Sequence, residues 1–106
     1  MFLILWEFEV KPGEELAFEK AYGPEGLWGQ LFRGNPHYRE TKLLKDPLHS
    51  RIYYTLDFWE SENHYKRFQQ LNHGTYAELD KTTECLTIRE RNLGCFLQHG
   101  PEPTSS

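Results

Sequence analysis

The 106-residue chain reads as a single α+β domain built on a four-stranded antiparallel sheet in a split βαβ arrangement. Three observations predict this. Phe2, Ile4, Trp6, Phe8 and Val10 are apolar at every second position, which is strand periodicity. Tyr53–Trp59 is a run of aromatic, β-branched and aliphatic residues broken only by Asp57. Segments with helical spacing follow each of these strands, giving the order β-α-β-β-α-(α)-β.

In the first strand, Leu3, Leu5, Glu7 and Glu9 form a second face, apolar at one end and acidic at the other. Lys11-Pro12-Gly13 ends the strand, because proline cannot donate to a ladder and glycine frees the turn. Residues 14–32 read as helix, with Phe18 and Tyr22, Leu27 and Leu31, and Trp28 and Phe32 each one turn apart. Gly23-Pro24 predicts a break into two helical pieces, since proline removes an N–H and disfavours helical geometry before it. Gly34-Asn35-Pro36 closes the element.

His37–Asp46 is the most polar strand, and Lys42 and Lys45 suit an edge. Ile52–Trp59 divides into Ile52, Tyr54, Leu56 and Phe58 on one face and Tyr53, Thr55, Asp57 and Trp59 on the other. Ser61 is a good N-cap for a helix running to Leu71, with Glu62 in its first turn. Asn72-His73-Gly74 is expected to break it before a second helix from Thr75 to about Cys85, with Tyr76, Leu79 and Thr83 on one side. In the last strand, Leu86–Leu97, the apolar parity switches near Asn92-Leu93-Gly94, which predicts a β-bulge. The tail, residues 98–106, lacks core residues and is expected to be flexible; residues 1–97 form the domain.

This is the split βαβ order of ferredoxin-like folds, with an extra helix. The first and third strands are then central, and they are the most apolar. Helices cover one face only. Leu3, Leu5, Tyr53 and Trp59 are expected to give the other face apolar content, and a homodimer packed sheet on sheet would cover it.

Composition excludes several function classes. A net charge of −4 offers no basic footprint for nucleic acid. The longest apolar run, Met1–Trp6, is too short to cross a bilayer and lacks the flanks of a signal peptide, so no membrane partner and a cytoplasmic location are expected. Cys85 and Cys95, without a CxxC, read as reduced, partly buried thiols. The five histidines show no metal-binding spacing, so no metal site is predicted; one could arise only through tertiary proximity. Gly23, Gly26 and Gly29 follow a helix, not a strand, and make no dinucleotide loop.

Lys11-Pro12-Gly13, the stretch Ala21-Tyr22-Gly23-Pro24-Glu25-Gly26-Leu27-Trp28, and Trp59-Glu60-Ser61 at the end of the third strand resemble the antibiotic biosynthesis monooxygenase superfamily over about residues 2–97. The resemblance implies a dimeric α+β barrel. It also implies a choice of activities: oxidation of polycyclic phenols without metal or flavin, haem degradation, isomerisation, or none yet known. The haem-degrading branch uses an Asn on the first strand, a Trp ending the third and a His on the following helical region. Here Trp59 matches, the first strand has no Asn, and Asp80 stands where the His would fall, so haem is not implied.

A cofactor-free monooxygenase requires an aromatic-lined pocket and a group that takes a proton from a phenol. Trp6, Trp28, Phe32, Trp59, Tyr65 and Tyr76 are the candidate substrate-binding residues. Asp57, Tyr54 and His64 are the candidates for hydrogen bonding and proton transfer. A carboxylate within a central strand is costly unless paired or hydrated, so Asp57 is the sharpest signal. Its structural alternative is an ion pair with Arg89 or Arg91. Two readings stand: a cofactor-independent monooxygenase acting on a small aromatic or polyketide-like substrate, and a non-enzymatic dimeric barrel that binds a hydrophobic small molecule.

Overall fold

Phe2–Val10 forms strand β1, and its alternation places Phe2, Ile4, Phe8 and Val10 in the core. The computed structural model describes residues 1–100 of the chain; the tail beyond lies outside the described residues. The remaining elements are α1 (Glu15–Tyr22), α2 (Leu27–Phe32), β2 (Tyr38–Lys45), β3 (Ile52–Trp59), α3 (Glu62–Leu71), α4 (His73–Thr83), a 3₁₀ turn (Glu84–Leu86) and β4 (Thr87–Leu97). The strand order is β2-β3-β1-β4, every neighbouring pair antiparallel. The predicted α+β class, central strands and polar edge strand are all observed.

Helix α1 ends where Pro24 requires it, and α2 starts after Gly26. A Cβ on Gly26 would lie 2.3 Å from the carbonyl oxygens of Lys20 and Ala21, so only glycine permits this close return of the chain. Ser61 caps α3 by accepting from the His64 backbone N–H at 3.2 Å. Helix α4 begins at His73, two residues earlier than the spacing predicts. Asn72 alone separates the helices, because its side-chain amide donates to the Phe68 carbonyl while its own carbonyl accepts from Tyr76.

The predicted bulge is present: Leu5 pairs with Gly94 and Trp6 with Asn92, leaving Leu93 extra. Gly94 adopts φ +132°, a conformation that side chains disfavour, and its N–H bonds the Asn92 side chain at 2.8 Å.

Register decides which face of β3 meets the helices. Phe2 pairs with Trp59, Ile4 with Asp57, Trp6 with Thr55 and Phe8 with Tyr53. The set Tyr53, Thr55, Asp57 and Trp59 therefore faces inward, and Trp59 is fully buried. This corrects the assignment of Tyr53 and Trp59 to the open face. Tyr54, Leu56 and Phe58 instead share that face with Leu3 and Leu5, with Leu44 on β2 and Phe96 on β4 beside them. Cys85 and Cys95 are both free and exposed rather than partly buried.

Candidate functional site

The inward face does not close completely over β3. A cavity of about 140 Å³ lies between the sheet and the helices. Trp6 and Phe8 of β1, Thr41 of β2, and Thr55 and Asp57 of β3 form its floor. Trp28 and Phe32 of α2 and Tyr76 of α4 form its roof, with Tyr22 of α1 beside them. Asp80 on α4 and Glu90 on β4 also line it. Asp80 is exposed and Glu90 half-buried, so these two mark the mouth.

The aromatic wall is held from behind by one residue. Thr83 Oγ1 accepts from the Tyr22 hydroxyl at 3.0 Å and from Trp28 Nε1 at 3.4 Å, while donating to the Leu79 carbonyl at 2.9 Å. Tyr76 meets Trp28 edge-on, with ring centroids 4.9 Å apart. Polar atoms of the roof are thus satisfied inside the fold, and the aromatic surfaces are free to face the cavity.

Asp57 is the buried carboxyl in this space. It does not pair with Arg89 or Arg91: those guanidinium groups lie on the open face, against Glu9 and Glu7. Its partner is Thr41, directly opposite on β2, whose hydroxyl donates to Oδ1 at 2.7 Å. Thr41 has a single proton to give, so the Tyr38 hydroxyl 2.7 Å away donates to Thr41. Burial pushes the Asp57 carboxyl up to about 6, against the lowering effect of the Thr41 bond. Tyr38 is likewise pushed up to about 12 by burial, so it remains a donor at neutral pH. Tyr65 and Tyr76 hydrogen-bond to one another, and burial raises both. The charge of Asp57 raises them further. Glu90 is raised too, by burial first and by the neighbouring carboxylates Asp80 and Glu84.

Of the residues singled out from sequence, Asp57, Trp6, Trp28, Phe32 and Tyr76 share this cavity. Trp59 and Tyr65 do not line it. They pack beside it, with Trp59 enclosed by Phe32, Tyr38, Tyr65 and Phe68. Tyr54 and His64 are not brought to Asp57. Tyr54 lies three residues before Asp57 on the same strand, hence on the opposite sheet face, where it donates to Glu7 at 3.0 Å. His64 sits in the first turn of α3, with its Nδ1 2.8 Å from Ser61 Oγ. Sequence reasoning missed Thr41 and Tyr38, although Thr41 lies on the strand expected beside β3; residue type alone did not mark it.

The sequence model described as "Antibiotic biosynthesis monooxygenase" matches residues 1–75. No curated protein matches the chain. Among solved structures, the fold resembles SnoaB, described as a cofactor-independent oxygenase from Streptomyces nogalater. Two crystal structures of it give TM-scores of 0.77 and 0.73 at 16% identity, covering 97% of each chain. Structures bearing the family's name from Deinococcus radiodurans and Bordetella bronchiseptica give 0.74 and 0.72. The first is 6% identical over 100% of both chains; the second is 16% identical over 92% of this chain and 96% of that one.

Proposed function

Because the chain belongs to the antibiotic biosynthesis monooxygenase family, we propose that it oxidises a small electron-rich aromatic substrate with molecular oxygen, without a cofactor, in the cavity beside Asp57. One observation carries this reading: an aromatic chamber whose buried carboxyl is tuned to about 6. At pH 7 such a group is about 90% ionised, yet it remains a far better proton acceptor than an ordinary aspartate.

Asp57 takes a proton from the substrate, and the charge moves into the aromatic system. The substrate anion then supplies electrons to molecular oxygen. A C–O bond forms at the reacting carbon, and protonation gives a hydroperoxide. Loss of water from it leaves a carbonyl, so a methylene group and dioxygen become a carbonyl group and water. Asp57 returns its first proton to the peroxide oxygen as the hydroperoxide forms, then takes the second C–H proton as the O–O bond breaks and passes it to the departing hydroxide, ending as it began. Thr41 keeps the carboxylate oriented, and Tyr76 offers the substrate an aromatic wall.

Cavity size narrows the substrate. An enclosed space of about 150 Å³ holds a benzene-sized molecule. The volume here therefore admits one ring, and the further rings of a polyketide-like substrate extend through the mouth between Asp80 and Glu90. The test is incubation with electron-rich phenols under ¹⁸O-labelled dioxygen. Product carrying one ¹⁸O atom supports the reading; binding without oxygen uptake favours a non-enzymatic ligand-binding barrel.

We also propose that a second copy of the chain covers the open sheet face. Leu3, Leu5, Tyr54 and Leu56 line its centre, and Leu44 and Phe96 stand 46% and 47% exposed to either side. A homodimer buries this apolar face with one self-complementary interface.

A further inference from the structure

At the end of the sheet where Phe2 meets Trp59, three side chains outside the cavity converge. His37 lies in the turn before β2, Glu60 follows β3, and His64 is in the first turn of α3. A ring nitrogen from each histidine and a carboxylate oxygen of Glu60 all lie within 4.8 Å of one another. Among the described residues no other trio of His, Cys, Asp and Glu side chains does this. We propose that His37, Glu60 and His64 form a binding site for a borderline divalent transition metal of the zinc, nickel or copper type.

Each donor is already braced. The Glu60 N–H donates to the His37 carbonyl at 2.9 Å, fixing the two backbones side by side. Arg39 donates to Glu60 Oε1 at 2.6 Å, while Oε2 bonds His37 Nδ1. The His64 ring is held through Nδ1 by Ser61, the residue that also caps α3. Hydrogen-bonded supports of this kind orient metal ligands and set their tautomers. The two imidazoles stack with centroids 3.7 Å apart and planes 20° from parallel.

The donor chemistry selects the ion. Two imidazoles and one carboxylate suit zinc and its neighbours, whereas magnesium and calcium require oxygen ligands. Bonds of about 2.0–2.2 Å bring tetrahedral donors to within roughly 3.4 Å of each other. Closing from 4.8 Å requires side-chain rotation only, because His37, Glu60 and Arg39 are all partly exposed. A bound ion takes the place of the hydrogen bond between His37 and Glu60. It leaves a fourth position for water and ties the starts of β2 and α3 to the end of β3. None of the three ligands lines the cavity, so this site stands apart from the proposed oxygenase chemistry.

The test is titration of chelator-treated protein with Co²⁺, read by its visible absorption, and with Zn²⁺ by calorimetry. Mg²⁺ serves as the control. We expect one ion per chain, no response to Mg²⁺, and a rise in melting temperature with Zn²⁺. Glu60→Gln, which keeps size and one acceptor oxygen for Arg39, and His64→Phe should each weaken binding at least tenfold, with unchanged far-ultraviolet circular dichroism. Absence of binding by the native chain overturns the proposal. So does binding of equal strength in both variants, which would place the ion on other histidines or the exposed cysteines.

Discussion

Thr41 and Asp57 face each other across the β2–β3 ladder, and the threonine hydroxyl donates to the aspartate at 2.7 Å. Among the described residues, this bond is the one lowering influence on a carboxyl that burial otherwise raises. Replacing Thr41 with valine keeps the shape and removes the donor. The Asp57 carboxyl should then titrate above 6, moving the midpoint of the pH–activity curve upward, and activity at pH 6 should fall more than activity at pH 8. A pH series of initial rates checks this.

Asp57 also makes stability depend on pH. Its folded-state value of about 6 lies above the ordinary 3.8, so between those limits the folded chain holds more protons than the unfolded one. Stability from this group is therefore fullest below about pH 4 and declines as pH rises to about 6, by up to about 3 kcal/mol. Asp57→Asn should remove that decline and be more stable than the native chain at pH 7. Urea unfolding at pH 4 and pH 7 measures both.

Thr55 points into the cavity from the strand that carries Asp57. Thr55→Leu places a larger side chain in the space where one aromatic ring fits. Overpacking of this kind costs about 1–3 kcal/mol, so phenol binding should weaken about fivefold or more. Titration followed by the fluorescence of Trp6 and Trp28, both in the cavity wall, reports it directly.

Trp59 behaves as core. It is fully buried, and its Nε1 has no hydrogen-bond partner among the described residues. Trp59→Ala should cost about 3–5 kcal/mol, the usual range for emptying such a site. Trp59→Phe should cost much less, because it also removes the unsatisfied N–H. Denaturant midpoints separate the two.

Leu5 lies near the centre of the open sheet face. Leu5→Asp should convert the proposed dimer into monomers in sedimentation velocity, since a buried carboxylate on each partner is strongly disfavoured.

Elements and their order were legible because apolar periodicity and breakers act locally. Pro24, Ser61 and the Asn92–Gly94 bulge each stand where the backbone requires them. The facing of β3 was not legible. Ile52, Tyr54, Leu56 and Phe58 are the more apolar set, yet they take the open face. The inner set tolerates Thr55 and Asp57 because a cavity, not close-packed side chains, lies above them. Tyr54 and Asp57 are three residues apart on one strand, so the period of two already separates them by face, whichever face meets the helices. His37, Glu60 and His64 carry no spacing signal at all, because a strand pair and a turn bring them together only in the folded chain.

The most direct measurement is oxygen uptake across pH 5–8 by native protein and Asp57→Asn, with a panel of electron-rich phenols under metal chelation. The account predicts uptake by the native protein that rises with a midpoint near pH 6, and a loss of about 100-fold or more in Asp57→Asn while phenol binding persists. Equal uptake by the two proteins, or phenol binding with no uptake by either, would contradict it.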